Sequence, residues 1–276
     1  MGDTGQGTSN GRNGGGASRP SAAKAANATN TNGVMTTAAE ARLFKNAHVM
    51  AQPPGGPTSR NPSSEVATYQ AQMGQTGNEA GRVGIPPHQK LYCGTSKSYN
   101  INAYLNSDGT KIKARGSQWD QLGYTKSDIK RDIATIDRGM KGLPRDTKLT
   151  RFVYGDQLGA MLGNTSINNS TIDSLITALK SGNTSAVASF RSNLKNANYT
   201  HKAYTSTTYV QKHPAFDQRD VRLNLVARKG TKAIVTNNHA EHEILLGRGQ
   251  KYNFTGNFRV QTTAAGVDQL VLDVYI

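Results

Sequence analysis

Cysteine is almost absent from this chain: Cys93 is the only one among 276 residues. A single thiol excludes an intramolecular disulfide and any cysteine-built metal cluster. Long apolar runs are missing as well. No stretch approaches the roughly 18 apolar residues that a membrane-spanning helix needs. The N-terminus, Met1-Gly2-Asp3-Thr4-Gly5-Gln6, lacks the basic and apolar layout of a signal peptide. The six histidines show no metal-ligand spacing. His239 and His242 lie close in sequence but beside a strand with no third ligand, so no metal is expected. Acidic residues are the other scarcity, with 18 Asp and Glu against 33 Lys and Arg and a net charge of +15.

That positive charge is spread along the second part of the chain rather than packed into one run. Scattered Lys and Arg form a solvated surface in the first instance. They also attract polyanions at long range, so nucleic acid stays open as a partner through the basic surface. No aromatic-interleaved basic strand or nucleic-acid motif accompanies the charge.

Residues 1–86 differ in composition from the rest. They are dominated by Gly, Ala, Ser, Thr, Asn, Gln and Pro, as in Gln52-Pro53-Pro54-Gly55-Gly56-Pro57. Anchors such as Phe44, Val66 and Tyr69 are sparse against the entropy of ordering so much backbone. The segment therefore reads as a low-complexity arm, expected to be disordered. Two pieces within it, Thr36 to Met50 and Ser64 to Met73, have the makings of short helices able to dock.

From residue 87 to 276 the pattern is periodic and reads as one domain. Ser96 to Leu105 fits a short helix. Ser127 is placed to cap a helix with Ile129, Ile133 and Ile136 on one stripe, ending near Gly139. Ser170 is placed to cap another, with Ile172, Leu175, Ile176 and Leu179 on one face and Gly182 beyond. A further helical piece carries Val187, Phe190 and Leu194. Strands are expected at Leu149 to Tyr154, Tyr204 to Val210, Val221 to Leu225, Ala233 to Val235, Glu243 to Leu246, Tyr252 to Phe254, Phe258 to Thr262 and Leu270 to Ile276. Helices first and strands afterwards argue for an α+β fold. No glycine fingerprint of the dinucleotide-binding or phosphate-loop type follows a strand and opens a helix.

One stretch stands out: Asn238-His239-Ala240-Glu241-His242-Glu243-Ile244-Leu245-Leu246. Strand alternation would put Glu241 and Glu243 on one side and His242, Ile244 and Leu246 on the other. Paired carboxylates at a strand end are either solvated or built to manage positive charge. Upstream, Leu149-Thr150-Arg151 is a strand with one arginine, and Tyr204-Thr205-Ser206-Thr207-Thr208 a strand with a hydroxyl run.

The order Arg, then Ser-Thr-Thr, then Glu-x-Glu-Ile-Leu-Leu-x-x-Gly resembles the arginine-specific, toxin-like mono-ADP-ribosyltransferases. Tyr92 to Leu105, with Ile101-Asn102 and Leu105, is similar to that family's early helix. The resemblance covers residues 87–276. It implies an ADP-ribosyltransferase-like fold: an N-terminal helical part, then two packed, mainly antiparallel sheets. It also implies NAD+ as co-substrate and arginine of a target protein as acceptor.

The chemistry accounts for these residue types. Loss of nicotinamide leaves positive charge on the ribose, which a carboxylate stabilises more in the transition state than in the ground state. The resemblance gives that role to Glu243, bonded to the ribose hydroxyl beside the reacting carbon. Arg151 would hold the pyrophosphate as a planar charged fork. Ser206 would steady Glu243 and the nicotinamide ribose, with Thr207 and Thr208 supporting strand and site. Glu241 would orient the acceptor guanidinium, a poor nucleophile because it stays protonated. Phe216 and Arg219, in the segment flanking the cofactor site, are assigned to nicotinamide packing and phosphate contact.

The pattern departs from the family in three places. Phe152 follows the arginine where relatives carry a small residue. Thr208 takes the place of the last serine. Asn237-Asn238-His239 stands where an aromatic often holds the acceptor. The leading reading is an NAD+:protein-arginine mono-ADP-ribosyltransferase, a bacterial or phage effector acting in a host or target-cell cytoplasm, delivered by secretion or with a virion. The same site acting as an NAD+ glycohydrolase or on RNA is the second reading. An inactive transferase-like fold in a virion or packaging protein is the third.

Overall fold

The computed structural model describes residues 37–75, 92, 96–111 and 125–276. Helices α1 (Thr37–Asn46), α2 (Glu65–Gln72), α3 (Ser96–Asn106) and α4 (Lys126–Gly139) come first. Strands β1 (Lys141–Gly142) and β2 (Thr147–Val153) follow, then helices α5 (Gly155–Met161), α6 (Asn169–Lys180) and α7 (Thr184–Asn196). The remainder is β3 (Tyr199–His201), β4 (Thr205–Thr208), a 3-10 turn at Pro214–Phe216, β5 (Val221–Ala227), β6 (Lys232–Val235), β7 (Glu243–Leu246), β8 (Gln250–Thr262) and β9 (Asp268–Tyr275). Among the described residues, no helix is long and apolar enough to cross a membrane.

The strands are bonded in the order β1-β6-β7-β4-β2-β5-β9-β8-β3. All pairs are antiparallel except β5 with β9. β2 pairs with β5 along its whole length, from Thr147↔Ala227 to Val153↔Val221, whereas β2 and β4 share one pair, Thr150↔Thr208. The ladder is thus two sheets, β1-β6-β7-β4 and β2-β5-β9-β8-β3, joined at one point and splaying apart beyond it. This is the two-sheet α+β architecture the motifs imply.

One core fills the space the two sheets share. It holds Ala233, Val235, Ile244 and Leu246 from the first sheet, with Leu149, Leu223, Leu225, Leu270 and Leu272 from the second. Leu158, Ile172, Phe190 and Leu194 of α5–α7 close it. On the first sheet's far face, Ile101 of α3 and Ile129, Ile133 and Ile136 of α4 cover Tyr204, Ile234 and Leu245. On the second sheet's far face, Ala39 and Leu43 of α1 cover Val226 and Tyr275. Each fully buried aliphatic side chain contributes about 1.5–3 kcal/mol, so the apolar stripes outweigh helix propensity in placing these elements.

Two helix starts differ from the sequence expectation. The cap of α4 is Thr125, whose Oγ1 accepts from Asp128 N at 3.1 Å while Asp128 Oδ2 accepts from Thr125 N at 3.1 Å. This reciprocal box satisfies two orphan groups, where Ser127 would satisfy one. The cap of α6 is Asn168, accepting from Thr171 N at 3.0 Å, rather than Ser170.

Residues 37–75 fall in the segment read as an arm, and they pack on the domain. Met50, Val66, Tyr69 and Met73 belong to the main core. Tyr69 also bonds Thr147 Oγ1 through its hydroxyl at 3.1 Å. The anchor count from sequence left out Ala39, Leu43, Met50 and Met73, small or flexible residues that fill gaps between the larger ones.

Candidate active site

The splay between β2 and β4 opens a cleft whose walls carry most of the residues singled out from sequence. Arg151 stands on β2, and Ser206, Thr207 and Thr208 on β4. A cavity of about 200 Å³ is lined by these four together with Phe216, Arg219, Glu241 and Phe152. A neighbouring cavity of about 320 Å³ shares Arg151, Gln157 and Ser206 and adds Tyr92, Asn102, Tyr199 and His201.

Arg151 is half-buried, and its Nε is fully buried with no hydrogen-bond partner. A buried guanidinium donor left unsatisfied is costly unless a ligand completes it. Ser206 is exposed to the cleft. Its neighbours on β4 are committed elsewhere: Thr207 Oγ1 donates to Ile244 O at 2.6 Å, and Thr208 Oγ1 accepts from Val210 N at 3.1 Å. These two hydroxyls fix β4 against β7 and set the chain's exit from the strand.

Glu243 opens β7 and sits opposite Thr208. It is 3% exposed, with Oε2 3.4 Å from Thr236 Oγ1. Glu241 lies outside the strand, in a turn, and is half-exposed; its Oε2 accepts from Asn238 Nδ2 at 3.3 Å. Simple alternation therefore fails at this motif. His242 has φ +50, a left-handed conformation that breaks the strand between the two glutamates. The result is one buried carboxylate on β7 beside the cleft and one half-exposed carboxylate in its lining.

The 213–219 segment forms the cleft's outer wall. The Phe216 ring stacks on Phe152 with centroids 5.2 Å apart and planes at 21°. The Arg219 guanidinium lies 3.8 Å from the Tyr154 ring centroid. His213 Nε2 donates to Ala240 O at 3.1 Å, tying the wall to the glutamate turn. The bulky Phe152 after the arginine thus serves as a platform for Phe216.

A model of the ADP-ribosyltransferase exoenzyme family matches residues 89–276. The chain belongs to that family. Solved structures agree on the fold. Plx2a, an ADP-ribosyltransferase toxin from Paenibacillus larvae, is 17% identical with a TM-score of 0.50, over 76% of this chain and 90% of that one. The C3 exoenzyme of Clostridium limosum is 18% identical at a TM-score of 0.51, over 84% and 98%. C3stau2 from S. aureus, solved with NAD, is 19% identical at 0.51, over 80% and 98%. No match was found among curated proteins. By family and fold the chain is an NAD+-dependent mono-ADP-ribosyltransferase.

Among the residues of the transferase's cleft that escaped the sequence reading are Gln157, Tyr199 and His201. Gln157 sits on α5, where Oε1 accepts from Tyr154 N at 3.0 Å and anchors the helix at the end of β2. His201 bonds Tyr199 Oη through Nδ1 at 2.6 Å and Tyr204 O through Nε2 at 3.2 Å. A carbonyl only accepts, so Nε2 carries the proton and Nδ1 accepts from the phenol. Burial, and then the Arg151 charge, lower the His201 pKa to about 4, keeping the ring neutral beside the arginine. The alternating Tyr199-Thr200-His201 was the available signal, since strand periodicity puts its two rings on one face.

The turn after β7 is locked as well. Arg248 donates to Asp137 of α4 from Nη2 at 2.8 Å and Nε at 3.0 Å. Asp137 also accepts from Tyr204 Oη at 2.7 Å. Among the described residues, no group of three His, Cys, Asp or Glu side chains is placed to hold a metal ion.

Proposed function

We propose that this transferase is an NAD+:protein-arginine mono-ADP-ribosyltransferase acting as an effector on proteins of a host or target cell. The observation that carries the reading is the buried, unpartnered Arg151 Nε in a cleft shared with Ser206 and Glu241. A missing acceptor on a buried guanidinium is what an NAD+ pyrophosphate would supply. The neutral His201 beside it adds no competing positive charge.

In the proposed reaction Glu243 stabilises the ribose as the bond to nicotinamide breaks and the electron pair leaves with the ring. Ser206 steadies that carboxylate and the nicotinamide ribose. Thr207 and Thr208 hold β4, Phe216 packs the nicotinamide side on its Phe152 platform, and Arg219 contacts phosphate. An arginine nitrogen then forms the new bond to the anomeric carbon, and Glu241 orients the guanidinium and takes up the proton it loses. The rim position and partial exposure of Glu241 support this, because an incoming protein side chain can reach it. The deeper Glu243 suits a group that meets only NAD+.

The acceptor class is tested by incubating adenylate-labelled NAD+ with a cell extract and splitting each reaction between protease and RNase. Protease-sensitive label supports the reading. RNase-sensitive label moves the acceptor to RNA, which the +15 charge would favour electrostatically. Loss of NAD+ without label makes the enzyme a glycohydrolase.

A further inference from the structure

The segment 57–75 precedes the family-matched residues, yet it grips β6, the start of the loop that leads to Glu241, and His242 between the two glutamates. Gln70 Nε2 donates to Val235 O at 2.9 Å and to Asn237 Oδ1 at 3.2 Å. Gln75 Oε1 accepts from Val235 N at 3.1 Å, and its Nε2 donates to Ala233 O at 2.8 Å. Ser63 N donates to Tyr209 Oη at 3.2 Å, and Tyr209 Oη lies 3.1 Å from His242 Nδ1.

The last chain of contacts ends on the strained residue of the site. His242 and Asp108 are the two non-glycine residues with positive φ among those described, and His242 is 1% exposed. Such a conformation persists only where surroundings over-determine it. Here they do. Tyr209 N donates to His242 O at 3.2 Å, fixing the backbone, while the Tyr209 hydroxyl fixes the ring. The Tyr209 hydroxyl keeps a second lone pair beside the one Ser63 uses, so either it or His242 Nδ1 supplies the proton of that contact. His242 Nε2 is buried and completes no hydrogen bond, and the ring lies near the Pro57 and Ser59 backbone of the same segment.

We propose that the Ser63–Tyr209–His242 relay is a positioning device that sets Glu241 at the cleft's rim and Glu243 on β7 beside it. The 57–75 strap is then part of the catalytic unit. This inference rests on the reading of the two glutamates as the acting carboxylates. Tyr209 and His242 are positioning residues in it. A relay that holds two carboxylates in register acts on turnover more than on NAD+ affinity.

The test uses the full chain carrying Tyr209→Phe, His242→Asn or His242→Val. Each is assayed for kcat and KM in transfer to a small free guanidine acceptor, for melting temperature, and for hydrogen exchange of residues 236–243. Tyr209→Phe is expected to lower transfer kcat roughly tenfold, with KM for NAD+ within about twofold and faster exchange in the turn. Asn tolerates the left-handed region and keeps a donor and an acceptor, so His242→Asn should retain most activity. A β-branched valine disfavours that conformation, and His242→Val should lose about a hundredfold. Folded Tyr209→Phe protein with wild-type kcat and unchanged exchange overturns the proposal. If the wild type turns over no NAD+, the proposed function fails, and the exchange comparison alone then decides the relay.

Discussion

Thr150 and Thr208 form the single residue pair that bonds β2 to β4, and the candidate active-site cleft begins where that pairing stops. One residue beyond Thr150, Arg151 pairs with Leu223 of β5 on one side and has no β4 partner on the other. Two residues before Thr208, Ser206 pairs with Leu245 of β7 and has no β2 partner. The site is a consequence of two sheets parting.

Arg151 answers to geometry as well as charge. Arg151→Lys keeps the charge but offers no fork, and it is expected to raise KM for NAD+ about tenfold or more. Melting temperature should hold, since the lost donor was unsatisfied. A KM within twofold of wild type in steady-state assays would show that the guanidinium does not bind the co-substrate.

Arg151→Gln should also move His201. Burial is the larger cause of the lowered His201 pKa and the Arg151 charge the next. Removing the charge should raise the pKa from about 4 while leaving it below the ordinary 6.5. Following the imidazole proton signals of wild type and variant by NMR through acid pH checks this.

His201 predicts acid sensitivity as well. Its folded pKa lies below the unfolded value, so between about 4 and 6.5 the unfolded chain takes up a proton that the folded chain refuses. Stability is fully present above 6.5 and falls as pH drops through that window, by on the order of 3 kcal/mol from this residue. His239 and His242, also lowered by burial, act in the same direction. Denaturant midpoints at pH 7 and pH 5 should differ less in His201→Gln than in wild type.

Helix α5 places Gln157 at the cleft by packing closely on the start of α6. A Cβ on Gly159 would lie 2.3 Å from Ile167 O, a backbone atom that cannot move aside cheaply. Gly159→Ala gains about 1 kcal/mol of helix propensity. The overlap costs roughly 1–3 kcal/mol or more and should win. A lower melting temperature and a raised KM for NAD+ are expected together.

The grouping of the candidate site was legible because the proposed chemistry calls for particular residue types in a particular order. Arg151, Ser206 and Glu241 line one cavity, with Glu243 on the strand beside it, as the motif order suggested. What sequence obscured was conformation and distance. Periodicity put Glu241 and Glu243 on one strand face; His242, left-handed and held against Tyr209, divides them between turn and strand. Gln157 joins the cleft only after α5 packs, and the Tyr199-Thr200-His201 alternation marks a shared face without showing which cavity that face lines. The strap was hidden by composition. Its holding groups are Ser63, Gln70 and Gln75, polar residues that look like solvent-facing linker until their partners Tyr209, Val235 and Asn237 are seen.

The central claim is the division of labour between the two carboxylates, and the direct measurement is a paired assay of Glu241→Gln and Glu243→Gln. NAD+ hydrolysis and transfer to a protein arginine are followed in the same preparations, with melting temperature as the check on folding. Glu243→Gln should lose both activities by at least about a hundredfold. Glu241→Gln should keep hydrolysis near wild type and lose transfer. Equal loss of both activities in Glu241→Gln, or hydrolysis surviving in Glu243→Gln, would contradict it.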